Sequence, residues 1–137
     1  MSDDDKSQSR KDFLREMFSG VPIIKGRTKL QKIVYLGQKE LGLAELFEYD
    51  EYHYGPYSQD LTDTLDEMVF EGVIVEDCKI RGDFITYCYK LSDFATSPEK
   101  STIPLETIQK LKKLALLPRS KIIDYVYRKY LPHRVPT

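Results

Sequence analysis

Tryptophan is absent from this sequence, and there are only two cysteines and two histidines. Cys78 and Cys88 are too few for a disulfide framework or a four-ligand zinc site. A catalytic His53 would need a paired nucleophile or a second ligand, and the sequence shows neither beside it. We therefore expect no catalytic residue, no metal and no cofactor, and a binding protein rather than an enzyme.

Long hydrophobic runs are also absent. No apolar stretch reaches the roughly 18 residues of a membrane span. The opening Met1-Ser2-Asp3-Asp4-Asp5 has neither the basic nor the apolar part of a secretory signal. We expect a cytoplasmic protein that does not bind membranes, and a chain of 137 residues fits one domain.

Positive charge is lacking from the middle of the chain, where no Lys or Arg occurs between Lys39 and Lys79. Residues 1–100 hold 13 Lys and Arg against 20 Asp and Glu, a net charge of −7. Residues 101–137 hold eight against two, a net charge of +6. The net charge of −1 thus conceals an asymmetry that determines which partners each surface can attract.

The pattern of apolar residues and turn signals predicts an α+β, mostly helical chain. Residues 1–9 are predicted to be disordered because they are acidic and polar, and 10–137 form one domain with a core over 10–92. The predicted elements are helices over 10–18, 28–41 and 58–71, a strand over 47–54, a hairpin over 73–91 turning near 81–83, and C-terminal helices within 104–131. This order is that of a winged helix-turn-helix-like domain with additional C-terminal helices.

The helix over 58–71 would be the reading helix of such a domain, with Ser58 as its N-cap. It carries carboxylates and no basic residue; these are Asp60, Asp63, Asp66, Glu67 and Glu71. Duplex DNA is bound mainly by cations that replace phosphate counterions, so we expect this helix not to read DNA. Oxygen ligands would suit Mg²⁺ or Ca²⁺, but no glycine-containing ligand loop accompanies them, and we interpret them as a solvent-facing surface.

Three sequence blocks resemble one prokaryotic family. Residues 26–36 (GRTKLQKIVYL) resemble a helix of the YwgA-like proteins, which the related Panacea (SocA-like antitoxin) domain shares in similar form. Residues 52–58 (YHYGPYS) and 125–130 (YVYRKY) resemble two later segments of that family, although Leu131 separates Tyr130 from the expected proline. The resemblance implies a winged-helix-type fold. It implies little about chemistry, since Panacea domains are known chiefly for neutralising toxins by protein contact.

The leading functional prediction is a regulatory module that docks a protein partner, a basic one in particular. Tyrosine favours interfaces, and His53 would act as a pH-sensitive contact. The predicted docking residues are Tyr52, His53, Tyr54, Tyr57, Asp60, Asp63, Asp66 and Glu67. The competing structural interpretation makes Gly55-Pro56 a turn, Ser58 a helix cap and the tyrosines half-buried packing residues.

The alternative is a DNA-binding transcriptional regulator that uses other surfaces. Its phosphate contacts would be Arg27, Lys29, Lys32, Lys79 and Arg81, together with the C-terminal helices. Lys29 and Lys32 would otherwise be part of a solvated helix face. The apolar row of the last helix would either cap the core or form a homodimer seam, and both remain open. Cys78 and Cys88 are predicted on opposite faces of the hairpin.

Overall fold

The structure, a computed structural model, describes residues 3–52, 55–95 and 101–134. Its helices are α1 (Asp3–Gly20), α2 (Arg27–Glu40), α3 (Gln59–Phe70), α4 (Leu105–Leu116) and α5 (Arg119–Tyr130), followed by a 3₁₀ turn at Pro132–Arg134. Its strands are β1 (Ile24–Lys25), β2 (Asp50–Tyr52), β3 (Gly55–Tyr57), β4 (Ile74–Arg81) and β5 (Phe84–Leu91). They form an antiparallel sheet in the order β1-β5-β4 and a separate β2-β3 pair. The α+β prediction is thus confirmed.

Helix α2 lies at the centre of the fold. Residues 29–37 are all buried, because α4, α5, β1 and β3 pack around the helix. Leu30, Ile33 and Val34 belong to the main core, as their helical spacing predicts. A helix covered on every side also buries its polar side chains, so the prediction of a solvated face at Lys29 and Lys32 is wrong.

The C-terminal helices supply much of that cover. Leu111 of α4 and Val126 of α5 are fully buried, and Ile122 is nearly so. Helix α5 packs against α2 and β3 within the same chain. Its buried apolar residues therefore pack on the core of the same chain, as one of the two alternatives predicts.

Helix α1 begins at Asp3, seven residues before the predicted start at residue 10. The structure therefore places residues 3–9, which the sequence predicts to be disordered, in the first turns of α1. Asp5 lies in the first turn, where a negative charge complements the helix dipole, and Gln8 Nε2 donates to Asp12 Oδ1 at 2.9 Å one turn later. Phe13, Leu14 and Met17 bury the following turns in the core.

The strand predicted over 47–54 is shorter and belongs to a small hairpin. Strand β2 pairs with β3 in the register Asp50↔Tyr57 and Tyr52↔Gly55. Gly55-Pro56, predicted to break the strand, lies within β3. Gly55 has a φ of +99°, a backbone conformation that residues with a side chain rarely adopt, and an added Cβ would lie 2.8 Å from Tyr127 Cε1.

Helix α3 and the long hairpin closely match the predictions made from the sequence. Ser58 Oγ accepts from the Leu61 N–H at 3.2 Å, which confirms the N-cap. Strands β4 and β5 are joined at the predicted turn, with Arg81 opposite Phe84. Cys88 is buried and Cys78 is exposed, on opposite faces as predicted. In the described part of the chain, no helix is long and apolar enough to cross a bilayer.

Candidate docking surfaces

The carboxylates of α3 are held in ion pairs with cations of α1 and α2. The pairs are Arg10–Asp60 (3.1 Å), Lys11–Glu67 (2.8 Å), Lys11–Glu71 (3.2 Å) and Arg27–Asp66 (2.5 Å). Glu67 raises the pKa of Lys11 through its hydrogen bond, and burial opposes that effect only in part. Asp63 accepts from Gln59 Nε2 at 2.9 Å. The predicted acidic docking face is therefore largely neutralised from within the protein.

Arg27 joins α2, α3 and the long hairpin. Its Nε donates to Tyr89 Oη at 2.7 Å, and its Nη2 donates to Asp66 and to Glu76. The guanidinium also lies 5.6 Å from the centroid of the Tyr89 ring. Although burial opposes the charge, hydrogen bonds to the two carboxylates raise the pKa of Arg27 above its usual value. Arg27 is thus occupied by a structural network rather than open to a phosphate.

Two further residues of the predicted nucleic-acid set are buried. Lys29 Nζ donates to the Ala115 carbonyl at 3.1 Å, and Lys32 Nζ donates to the Pro56 carbonyl at 3.0 Å. Burial lowers the pKa of both ammonium groups. Of the predicted set, only Lys79 and Arg81 are exposed, both on the hairpin.

Replacement of Lys32 by Met should leave the free energy of unfolding unchanged or raise it by up to about 1 kcal/mol. The residue is 3% exposed, and its ammonium has no carboxylate partner in the described chain. Methionine keeps the packing volume and removes a desolvated charge at the loss of one hydrogen bond. Chemical denaturation at pH 7 measures the change, and a loss of 2 kcal/mol or so would show that the ammonium stabilises the fold.

The structure describes the predicted tyrosine-rich docking segment only in part. His53, Tyr54 and the side chain of Tyr52 lie outside what the structure describes. Tyr57 is half-buried, and its hydroxyl lies 2.7 Å from Thr62 Oγ1. That contact ties β3 to α3 and supports the structural interpretation of this tyrosine.

Sequence reasoning missed the two glutamines that hold this region in place. Gln31 donates to the Ser58 carbonyl and accepts from the Ser58 N–H, both at 2.9 Å. Gln38 makes the same pair of bonds with the backbone of Phe47, both at 3.1 Å. The glutamines are seven residues apart and thus lie on one face of α2. Their spacing was the available signal, and they hold the segment that connects α2 to α3 at Phe47 and at its end, Ser58.

The distal half of the long hairpin exposes apolar side chains. Ile80, Phe84, Ile85 and Tyr87 are 71%, 78%, 56% and 41% exposed. The register pairs Ile80 with Ile85 and Cys78 with Tyr87, so these two pairs share one face of the hairpin, whereas Phe84, which pairs with Arg81, lies on the other face. We call the set Cys78, Ile80, Ile85 and Tyr87 the distal hairpin face. Ile74, Tyr89 and Leu91 lie on the same face of the hairpin, at the end that packs against the core.

A basic groove of about 760 Å³ lies between the hairpin and the start of α2. Its cations are Lys25, Arg27, Lys29 and Arg119, and its aromatic side chains are Phe84 and Tyr87. Lys25 and Arg119 are exposed. The fold therefore brings the start of α2, the hairpin and α5 to one place, although it leaves Lys32 elsewhere. Among the described residues, no three His, Cys, Asp or Glu side chains are grouped to hold a metal ion.

Comparison with known proteins finds a relative of this chain. The chain is 35% identical over 80 residues to the uncharacterized protein YwgA of Bacillus subtilis (strain 168). The match covers 58% of this chain and 48% of YwgA, so it spans about half the length of that protein. This supports a YwgA-like relationship. No family model matches the chain, and no solved structure does.

Proposed function

We propose that this protein is a non-catalytic regulatory module of winged-helix type that docks a protein partner through its distal hairpin face. Helices α1, α2 and α3 precede a β-hairpin, and β1 adds a third strand to it. This is the order of a winged helix-turn-helix. The connection between α2 and α3 differs from that of a helix-turn-helix. A turn of three or four residues is replaced by residues 41–58, which include the β2-β3 pair.

One observation carries the proposal, namely the exposure of three large apolar side chains, Ile80, Ile85 and Tyr87, on one face of a regular two-stranded element. Apolar surface that a protein leaves in water in one continuous patch marks interaction sites. Strand β4 is also an edge of the sheet, so its backbone is open to a further strand. The resemblance to the Panacea domain, known for neutralising toxins by protein contact, agrees with a protein partner.

The internal ion pairs of α3 are the reason why we place the docking surface on the hairpin and not on α3. Arg10, Lys11 and Arg27 already pair with three of the four carboxylates of α3 and with Glu71 at its C-cap, so a basic partner would have to displace them. The pairs do not turn α3 into a DNA-reading helix either. It still presents no basic side chain of its own to a phosphate.

Loss of the distal hairpin face should abolish partner capture. We expect the double variant Ile80→Ser with Ile85→Ser to retain less than about a tenth of the partner that the wild-type chain captures from extract of its native cells, a loss worth about 1.4 kcal/mol or more. Both side chains are exposed, so the melting temperature should change little. Quantitative mass spectrometry of the captured proteins measures the ratio.

The matched control is Asp63→Lys, which reverses an exposed charge on α3 outside its ion pairs. We expect this variant to capture the partner as the wild type does. If Asp63→Lys loses the partner while the hairpin variant keeps it, docking through the acidic helix is correct and the hairpin proposal fails.

Nucleic-acid binding is the second candidate function, favoured by the basic groove beside Phe84 and Tyr87. Exposed aromatic rings next to cations can stack bases while the cations hold the backbone. Binding of this kind weakens steeply between about 50 and 200 mM salt. If a duplex or a single strand binds with that dependence, and Lys25→Glu with Arg119→Glu removes the binding, the second candidate replaces the first.

A further inference from the structure

A second apolar surface lies where the end of α2 meets α4 and α5. It is a groove of about 520 Å³. Leu36 and Ile122, both buried, form its floor, and Leu114, Leu117 and Tyr125 form its walls. Leu117 is 39% exposed and lies in the short connection between α4 and α5. The groove shares no residue with the distal hairpin face, so the two surfaces can be tested separately.

Lysines surround this groove. Lys110 and Lys113 project from α4, and Lys121 projects from α5. Lys110 is paired with Glu106 at 3.4 Å, whereas neither Lys113 nor Lys121 has a carboxylate within 4 Å in the described part of the chain. The groove thus combines an apolar floor with uncompensated positive charge on two helices.

Glu40 is the one carboxylate that lines the groove among the described residues, and its charge is already compensated. It accepts hydrogen bonds from the hydroxyls of Tyr125 and Tyr130 and forms an ion pair with Lys129 at 3.0 Å. Burial opposes ionisation of Glu40, but these partners outweigh it and lower its pKa. Glu40 therefore stays charged and engaged near neutral pH, and it does not neutralise the lysines on the opposite walls.

We propose that the groove binds a short acidic amphipathic helix of a partner protein. Apolar side chains spaced by three or four residues would fill the groove, and flanking carboxylates would meet Lys113 and Lys121. A single anionic headgroup fits less well, because the ammonium groups are distributed over two helices. A second copy of this chain fits less well too, since a symmetric contact would place the lysines of the two grooves against each other.

The proposal is tested with labelled synthetic peptides of about 14 residues and the full-length chain. The acidic peptide has leucines at helical spacing and glutamates elsewhere. One comparison peptide has the same composition in scrambled order, and another has lysine in place of every glutamate. We expect fluorescence anisotropy to show saturable binding of the acidic peptide, at least about tenfold weaker binding of the scrambled one, and no binding of the basic one.

Charge reversal provides the decisive variant, because Lys113 and Lys121 are exposed and their replacement should leave the fold intact. The double variant Lys113→Glu with Lys121→Glu should lose the acidic peptide and bind the basic one, and Leu117→Ser should weaken both. Lys112→Glu, on the same helix but outside the groove, is the matched control and should bind as the wild type does.

Four results would overturn the proposal. The first is no saturable binding of the acidic peptide up to about 1 mM protein. The second is equal binding by the charge-reversed variant. The third is displacement of the acidic peptide by oleate at lower concentration than by unlabelled peptide, which assigns the groove to a lipid-like anion. A wild-type dimer that Leu117→Ser converts to monomer in sedimentation would instead assign it to self-association. None of these results bears on the hairpin variants.

Discussion

Replacing Glu16 with Ala should lower the free energy of unfolding by about 3 kcal/mol. Glu16 of α1 is 8% exposed, and its carboxylate receives four hydrogen bonds from the segment that leads into α4. The donors are the N–H groups of Thr102 and Ile103 and the hydroxyls of Ser101 and Thr102, at 2.6–3.1 Å. Alanine leaves these donors without their acceptor, and hydrogen bonds to a charged group are among the stronger ones.

The same contact makes stability depend on pH. Burial alone would raise the pKa of Glu16, but the four hydrogen bonds outweigh it and lower the pKa below its ordinary value. Its contribution is therefore complete above the unfolded-state pKa of about 4.3 and is lost as the pH falls through the lower folded-state value. Urea denaturation from pH 7 down to pH 3 should show a shallower acid dependence for Glu16→Ala than for the wild type.

The control for Glu16 lies one turn earlier on the same helix. Asp12→Ala removes an exposed carboxylate whose described partner is Gln8, and it should change the free energy of unfolding by less than about 0.5 kcal/mol. If Glu16→Ala were no more destabilising than Asp12→Ala, the loop before α4 would not depend on this carboxylate.

Replacing Gln31 with Leu should have an effect of similar size, about 3 kcal/mol. Ser58 is fully buried, and the amide of Gln31 satisfies both its N–H and its carbonyl. Leucine fills the space but leaves the buried Ser58 N–H unpaired, and the Ser58 carbonyl keeps only its bond from the Thr62 N–H at 3.3 Å. Since Ser58 is also the N-cap of α3, we expect the start of α3 to lose protection in hydrogen exchange along with the global loss measured by denaturation.

Gln109→Leu is the matched control, because Gln109 is exposed on α4. It should change stability by less than about 0.5 kcal/mol. A Gln31→Leu variant as stable as this control, with α3 equally protected, would mean that water or another side chain satisfies Ser58.

The features that were predicted correctly depend on neighbouring residues. Helix α3 with its Ser58 cap and the turn near Gly82 each follow from a few consecutive side chains, as does the apolar stripe of α2. Local propensities and turn chemistry act over the same short distances, so sequence patterns report them directly.

The features that were missed depend on distant parts of the chain. Lys29 and Lys32 are buried because α4 and α5, about 80 residues later, cover α2. The carboxylates of α3 are neutralised by Arg10 and Lys11, about 50 residues earlier. Spacing within one helix contains no information on such contacts, so the charges that appeared to be available for binding were the ones already engaged.

Hydrogen–deuterium exchange of this protein with and without its purified partner tests the central claim most directly. The proposal expects slower exchange of backbone amides in residues 78–87, because the partner covers the distal hairpin face, and unchanged exchange in α3 (Gln59–Phe70). Slower exchange confined to α3, with the hairpin unchanged, would contradict it.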